Sequence, residues 1–81
     1  MELKDFRVLF KKTLFEDMSH SLKEMDINDD SDLVDLGIDS MGSLLFINAL
    51  EEKLNKKLDL DKLEKYEFKV SIKNLFQAFF N

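Results

Sequence analysis

The chain contains no cysteine, no proline, no tryptophan and only two glycines among its 81 residues. Without cysteine it can form no disulfide, iron–sulfur cluster or cysteine-ligated zinc site, and it has no thiol nucleophile of its own. Nothing in this composition indicates a secreted protein. A chain of this length buries only roughly 60% of its unfolded surface, which leaves little room for a deep pocket with a full set of catalytic groups. We expect one domain, residues 1–81.

Long hydrophobic runs are also absent. The longest uninterrupted apolar run, residues 44–47, has four residues, whereas a helix needs roughly 20 to span a bilayer. Near the N-terminus, Lys4, Asp5 and Arg7 interrupt any apolar segment of the kind found in signal peptides. We therefore expect a cytoplasmic protein that does not insert into membranes.

The charge is distributed unevenly along the chain. The net charge is −5, but residues 16–52 hold eleven acidic residues and one basic residue, Lys23, whereas both flanking segments are net positive. Nucleic acids and anionic membranes are bound through clusters of Lys and Arg, so the acidic segment argues against both as partners. This segment is either a solvated surface or a docking surface for basic proteins.

Apolar residues recur at spacings of three and four, which is typical of amphipathic helices. The first such stripe predicts a helix over about residues 3–18. Residues 19–37 are rich in Asp, Asn and Ser and predict a long loop, because these side chains favour local turns. A second helix is predicted to begin at Ser40, whose hydroxyl would cap it, and to continue to Leu54.

Two further elements follow in the last third of the chain. A short helical element is indicated around residues 61–66. The last helix is predicted to be capped by Ser71, with Val70 packing on Leu75 as a hydrophobic staple. The eight Phe and four Met residues are assigned to the core. The sequence thus predicts an all-α fold: a monomeric, small three- to four-helix bundle with a long loop between its first and second helices.

The acidic loop partly matches a calcium-binding pattern. Asp26, Asn28 and Asp30 occupy the first, third and fifth positions of an EF-hand loop. The sixth position is Ser31 instead of glycine, and the twelfth is Gly37 instead of glutamate. We therefore assign no metal site, and expect at most a weakly held divalent ion in this loop.

No residue is assigned a catalytic role. The only histidine, His20, lies in the predicted loop and is interpreted as a surface residue. Ser40 does not form a nucleophile elbow, because that motif needs glycine two residues before the serine and the residue there is Ile38. A hydrolase that used Ser40 would also need a base within hydrogen-bond reach.

One motif lies at the junction of the acidic loop and the second helix, Asp35-Leu36-Gly37-Ile38-Asp39-Ser40-Met41. It resembles the Leu-Gly-x-Asp-Ser-Leu/Met signature of the acyl carrier proteins, and the match continues through Ala49-Leu50-Glu51-Glu52. The resemblance extends to the length, the acidity, the long first loop, the short penultimate helix and the capped last helix. It implies the fold and function of an acyl carrier protein.

In the acyl carrier protein family, the serine hydroxyl receives 4′-phosphopantetheine from coenzyme A in a Mg²⁺-dependent transfer by a separate phosphopantetheinyl transferase. The resemblance places this attachment on Ser40. The motif residues that the transferase would recognise are Leu36, Gly37, Asp39 and Met41. The arm brings the thiol that the chain lacks and holds an acyl or aminoacyl group as a thioester, so the protein itself would not be an enzyme.

The implied partners are the transferase with coenzyme A, a ligase that loads the acyl or aminoacyl group, and a downstream acyltransferase or synthase. Such enzymes present basic patches to acidic carriers, which favours fast and oriented association. The residues expected to dock against them are Asp35, Leu45, Glu51 and Glu52.

Two positions differ from the fatty-acid carriers, which usually have acids where this chain has Gly42 and Leu45. The run Asp39-Ser40-Met41-Gly42-Ser43 is closer to that of the D-alanyl carrier proteins, and Glu67-Phe68 resembles their acidic-aromatic pair before the last helix. The resemblance therefore favours an aminoacyl carrier. The alternatives are a specialised fatty-acid or polyketide type II carrier and, outside the carriers, an acidic helical protein-interaction adaptor.

Overall fold

A computed structural model describes residues 1–16 and 27–80 of the protein. Over these residues the chain forms four helices and no strand, namely α1 (Leu3–Glu16), α2 (Ser40–Leu54), α3 (Leu60–Glu64) and α4 (Ile72–Phe80). The predicted all-α helical bundle is confirmed. The predicted end of α1 at residue 18 and the first part of the loop, residues 19–26, lie outside the described residues. None of the helices described has the length and apolar composition needed to cross a membrane.

The core is centred on aromatic rings from three helices. The ring of Phe6 in α1 lies 5.6 Å from that of Phe76 and 6.2 Å from that of Phe79, both in α4. Phe10 packs edge-on against Phe46 of α2, with 4.7 Å between ring centroids. Tilted and edge-on pairs are the favoured arrangements of aromatic rings. They join α1 to both α2 and α4, and α4 packs in turn against α3.

Three residues assigned to the core by their type lie elsewhere. Phe68, Met41 and Met1 are all more than half exposed, so the prediction that all Phe and Met residues pack in the core is wrong for them. Residue type favours burial but does not determine on which side of a helix or turn a side chain lies. Met18 and Met25 fall outside the described residues.

Helices α3 and α4 begin with side-chain caps. Ser71 caps α4 as predicted, because its hydroxyl accepts a hydrogen bond of 3.1 Å from the N–H of Asn74. Helix α3 begins at Leu60, one residue before the predicted start, because the carboxylate of Asp59 accepts from the N–H of Asp61 at 3.0 Å. It ends at Glu64, two residues before the predicted end.

Three segments end in the same backbone pattern, in which an N–H bonds to the carbonyl five residues earlier. They are the turn at residues 33–37, helix α2 and helix α3. These bonds run from Ile38 to Leu33 (3.0 Å), from Lys56 to Glu51 (3.1 Å) and from Phe68 to Leu63 (3.2 Å). This is the Schellman motif, whose turning residue adopts a left-handed conformation. The turning residues are Gly37, Asn55 and Glu67, with φ of 94°, 51° and 58°.

The described part of the long loop, residues 27–39, is bonded to α1 and to the region of α4. Arg7 of α1 donates hydrogen bonds of 2.7 Å to both carboxylate oxygens of Asp29, and the N–H of Lys73 donates to the Asp29 carbonyl at 3.0 Å. The N–H of Leu33 donates to the carbonyl of Val70 at 3.0 Å. These contacts orient the turn that leads into α2.

Candidate functional site

The predicted attachment residue, Ser40, is the first residue of α2 and has an exposed side chain. The helix is capped by Asp39, whose Oδ1 accepts a 2.8 Å hydrogen bond from the N–H of Gly42. The prediction that Ser40 caps α2 is therefore wrong. A capping residue needs non-helical backbone, which Asp39 has with φ −75° and ψ −179°, whereas Ser40 already belongs to the helix. Because Asp39 supplies the cap, the Ser40 hydroxyl is left facing solvent.

The turn before α2 sets the position of Ser40. Gly37 adopts φ +94°, where a residue with a Cβ is strained, although no heavy atom lies within 4 Å of the place a Cβ would take. The backbone conformation, and not the available space, therefore requires glycine. The turn directs Ile38 into the core and leaves Leu36 half-buried against it.

The second glycine is required for a different reason. A Cβ on Gly42 would lie 2.8 Å from Cγ2 of Ile38 and 3.2 Å from Oδ1 of Asp39. The first distance is shorter than two non-bonded carbon atoms tolerate. The absence of a side chain at Gly42 thus allows the Asp39 cap and buried Ile38 to approach the helix. The acid that fatty-acid carriers have here would have to displace one of these neighbours.

A cleft of about 260 Å³ opens beside Ser40, between α2 on one side and α3 with its flanking segments on the other. Nine residues line it: Val34, Ser40, Ser43, Leu44, Ile47, Leu60, Leu63, Phe68 and Val70. Seven of the nine have apolar side chains, and the other two are serines. The cleft therefore offers apolar volume directly next to the exposed Ser40 hydroxyl.

Two larger depressions, of about 430 Å³ and 670 Å³, lie elsewhere on the protein. The first is at the C-terminal end of α2, and the second is between α1 and the loop. Charged and amide side chains line most of both, and Ser40 borders neither. The 260 Å³ cleft is thus the apolar cavity that adjoins the motif.

Ser43 has a buried hydroxyl without a hydrogen-bond partner among the described residues. The residue lines the cleft but is only 6% exposed, and its Oγ is buried. Such an unpaired buried hydroxyl costs about 1–3 kcal/mol. Ser43 was not among the predicted site residues. The sequence did contain a signal for it. Ser43 is a polar residue on the apolar face of α2 that continues with Ile47 and Leu50, both of which are buried.

Two of the predicted docking residues share one face of α2. Leu45 and Glu52 are spaced with Met41 and Asn48 at intervals of four and three, which places all four on one side of the helix. All four are exposed, Met41 to 72%. We call these four residues the outward stripe. It begins beside Ser40 and extends roughly 16 Å along α2.

The other two predicted docking residues lie off this stripe. The Glu51 carboxylate accepts a 2.8 Å hydrogen bond from the N–H of Leu58, and so joins α2 to the segment before α3. Asp35 is exposed in the turn that precedes α2. The structure therefore brings Leu45 and Glu52 together and gives Glu51 an internal contact.

The loop residues considered as metal ligands are only partly described. The side chain of Asn28 accepts a 2.9 Å hydrogen bond from the N–H of Asp30, which forms a local turn. Within residues 1–16 and 27–80, no group of three or more potential ligands is placed to hold a metal ion. Asp26 and His20 lie outside the described residues, so the expected weak divalent site stays a prediction.

A small helical bundle that exposes a serine at a helix start, beside an apolar cleft, has the architecture of a carrier for a covalently attached group. The sequence profile of the phosphopantetheine attachment site matches residues 13–78, which include α2, α3, Ser40 and the whole cleft lining. Neither the curated proteins nor the solved structures give a match to the chain. The chain belongs to the phosphopantetheine-binding proteins of the acyl carrier protein family.

Domains of this family are attachment sites for 4′-phosphopantetheine and generally act as carriers without catalytic activity. The residues at the start of α2 fit such a group. Attachment needs an accessible hydroxyl, and Ser40 provides one. A phosphodiester is also favoured at a helix N-terminus, where backbone N–H groups and the helix dipole stabilise an anion.

Proposed function

We propose that Ser40 is the attachment residue and that the protein delivers an acyl or aminoacyl group, held as a thioester on the arm, to partner enzymes. The exposed Ser40 hydroxyl at the first position of α2, within the segment that matches the family, is the observation that carries this proposal. When bound, the group supplies the terminal thiol that the chain lacks.

The attachment is a phosphoryl-type transfer from coenzyme A. The Ser40 oxygen forms a bond to the phosphorus of the pantetheinyl phosphate, the phosphoanhydride bond at that phosphorus breaks, and adenosine 3′,5′-bisphosphate leaves. The hydroxyl proton passes to a base of the phosphopantetheinyl transferase, which also brings the Mg²⁺. The carrier contributes an accessible nucleophile at a helix end that favours the resulting anion.

The other motif residues support this step in two ways. Asp39 and Met41 are exposed on either side of Ser40 and are available for direct contact with the transferase. Leu36 and Gly37 act through the turn, since one packs against the core and the other allows the left-handed backbone. We propose that all four are needed for efficient modification.

Partner enzymes are proposed to dock on the outward stripe. Met41 and Leu45 present apolar contact area next to the arm, and Glu52 presents a charge at the far end of the stripe. Asp35 adds a charge on the other side of Ser40. An apolar centre with a charged rim is the usual composition of a protein interface. Glu51 contributes indirectly, through its bond to Leu58.

Two kinds of cargo remain candidates. The run from Asp39 to Ser43 and the Glu67-Phe68 pair favour an aminoacyl group, loaded by an adenylating ligase. The apolar lining of the cleft instead favours a short uncharged acyl group of the fatty-acid or polyketide type. Intact-mass measurement of the protein purified from its own source separates the two, because the mass added beyond the arm identifies the group carried.

The attachment is tested by co-expression with a broad-specificity phosphopantetheinyl transferase. We expect the intact mass to increase by one phosphopantetheine arm in the wild type, and no increase in Ser40→Ala. Ser31→Ala is the matched control, because it removes a hydroxyl from the loop, outside the motif, and should still accept the arm. An unmodified wild type would support the adaptor function instead. An arm that persists in Ser40→Ala would contradict the assignment of the residue.

A further inference from the structure

We propose that Phe68 is a docking residue for the phosphopantetheinyl transferase. Its ring inserts into an apolar pocket of the enzyme, across the cleft from α2, and basic residues of the enzyme surround that pocket. The inference rests on the proposed attachment at Ser40. It adds a residue outside α2 and outside the motif to the surface that the transferase recognises.

The backbone at Phe68 is unusual for an aromatic residue. Glu67 and Phe68 both have left-handed backbone, with φ of 58° and 57°, although this conformation is unfavourable for residues with a Cβ and is rare for bulky ones. Burial of the ring does not offset the strain, because Phe68 is 56% exposed. Strained positions of this kind cluster at sites that bind ligands or partners. The strain at Phe68 therefore indicates a role outside the core.

Hydrogen bonds on both sides hold the turn that carries Phe68. The N–H of Phe68 donates to the carbonyl of Leu63 at 3.2 Å. Two residues later, the N–H of Val70 donates to the Asp32 carboxylate at 3.3 Å. The backbone that carries the ring is thus fixed before any partner binds. An aromatic side chain on a fixed backbone loses little conformational entropy when it docks.

Phe68 belongs to an apolar rim around the mouth of the cleft. Four of the apolar residues that line the cleft are more than half exposed, namely Val34, Leu44, Leu60 and Phe68. We call these four residues the cleft rim. Clustered apolar side chains on a protein surface are typical of contact sites for other proteins, and aromatic residues are enriched among those that contribute most to binding. Phe68 is the largest member of the cleft rim.

The charge around the cleft rim indicates the chemistry of its partner. Residues 32–39 hold three acidic residues and no basic one, and residues 59–69 hold four acidic and three basic residues. Each member of the cleft rim outside α2 is next to an exposed acid in the sequence; these acids are Asp35, Asp59, Asp61 and Glu67. An apolar surface with a net acidic surround is complementary to an apolar pocket surrounded by basic residues.

The chemistry of attachment favours the transferase as the partner that covers this surface. The transferase must bring its general base to within roughly 2.6–3.2 Å of the Ser40 oxygen. Enzymes that act on the carried group meet it at the end of a flexible arm, and are not required to contact the residues around Ser40. Because Ser40 and Phe68 line the same cleft, an enzyme in contact with Ser40 also lies over the cleft rim.

The test measures initial rates of arm attachment at saturating coenzyme A and varied carrier concentration. The enzyme is a broad-specificity phosphopantetheinyl transferase, and intact mass gives the modified fraction. We expect Phe68→Asn to raise the KM for the carrier about tenfold, as loss of a residue important for binding predicts. The kcat should not change, because the ring takes no part in the transfer. Asparagine tolerates left-handed backbone, so the melting temperature should not fall.

Two further variants isolate the ring. Phe68→Tyr keeps an aromatic ring at this position, and should have a KM close to that of the wild type. Val8→Ala is the matched control, because Val8 is an apolar residue of α1 that is 66% exposed and does not line the cleft. This variant should also keep the wild-type KM.

Several results would overturn the inference. They are an unchanged KM in Phe68→Asn, an equal increase in Val8→Ala, and a lower melting temperature of Phe68→Asn, which would show that the ring supports the fold. Sedimentation of the wild type as a dimer that Phe68→Asn dissociates would show that the ring packs against a second copy of the chain. A wild type that takes up no arm would contradict the proposed function itself, whereas equal modification of wild type and Phe68→Asn contradicts only the role of Phe68.

Discussion

Asp39 and Ser40 are adjacent polar residues with separate roles at the start of α2. Asp39 has extended backbone and caps the helix, and a cap of this kind contributes about 1 kcal/mol to stability. Ser40 lies one residue further, inside the helix, with an exposed side chain. Because the carboxylate of Asp39 bonds to Gly42, modification of Ser40 does not require the cap to break. Stability and the proposed attachment therefore depend on different side chains.

The tight packing at Gly42 leads to a prediction for Gly42→Ala. Alanine normally stabilises a helix by about 1 kcal/mol relative to glycine. Here the new Cβ would lie 2.8 Å from Cγ2 of Ile38, and overpacking of this kind costs about 1–3 kcal/mol. We expect the free energy of unfolding in urea to fall by about 1 kcal/mol.

Asn48→Ala is the matched control for Gly42→Ala, because Asn48 is exposed on the same helix. This variant should unfold at the wild-type urea concentration or slightly above it. A rise in stability of Gly42→Ala would show that Ile38 moves aside without cost.

Among the helices, the two walls of the cleft belong to different packed pairs. Helix α2 packs against α1 through Phe10 and Phe46, while α3 packs against α4. The loop and the segment after α3 close the arrangement, because Leu33 bonds to Val70. The shape of the cleft therefore depends on how α1 and α4 pack together. Substitutions at Phe6, which contacts α4, should alter the cleft although Phe6 does not line it.

Acid should weaken the connection between α1 and the loop. Hydrogen bonds from Arg7 lower the pKa of Asp29, burial opposes this by raising it, and the charges of Arg7 and Lys11 lower it further. A carboxyl whose pKa is lower in the folded state stabilises the fold at pH values above its unfolded pKa, here 3.8. This stabilisation is lost as the pH falls through the folded pKa. We expect the urea midpoint of the wild type to decrease below about pH 4.

The matched variant for this effect is Arg7→Gln, which removes the partner that lowers the pKa of Asp29. As the pH falls below about pH 4, its urea midpoint should decrease less steeply than that of the wild type. Both side chains are about one third exposed, so solvent screening keeps the difference small. Parallel pH profiles for the two proteins would show that the ion pair does not contribute.

Over the whole molecule, acidic charge surrounds a region of α2 that has none. Residues 16–52 carry eleven acids and one base, yet residues 40–50 contain no charged residue. The uncharged part of α2 includes Ser40, Met41 and Leu45. The proposed long-range attraction of basic partners by the acidic segment is thus combined with apolar contact area next to Ser40.

The crowded acidic charge predicts that the fold is sensitive to salt. Raising the ionic strength from 0.01 M to 0.15 M shortens the screening length from about 30 Å to about 8 Å, which weakens repulsion among the acids. We expect the melting temperature to rise by several degrees, since about 1 kcal/mol shifts a domain of this size by about 4–8 °C.

MgCl₂ and NaCl at equal ionic strength distinguish screening from ion binding. Equal shifts in melting temperature would indicate screening alone. A larger shift with millimolar Mg²⁺ would support the divalent ion predicted for the acidic loop. A melting temperature that salt leaves unchanged would contradict the proposed repulsion.

The helices were largely predictable because their signals are local. The apolar spacing in α1 and the Ser71 cap of α4 each lie within one or two turns of chain, and the structure confirms both. The bounds of α3 were less predictable. Its end depends on Glu67 and Phe68, which adopt left-handed backbone although neither is glycine. Composition contains no signal for that conformation.

The sequence by itself determined the all-α class, the family motif around Ser40 and the acidic middle segment, because each depends on residues close together in the chain. Only the tertiary structure decided that Asp39 is the cap, that Glu51 bonds to the segment before α3 while Glu52 stays exposed, and that the Ser43 hydroxyl is buried without a partner among the described residues. Ser43 lies in the wall of a cleft whose other lining comes from α3, the turn before α2 and the segment after α3. Contacts between segments so far apart in sequence depend on three-dimensional packing, which local spacing does not specify.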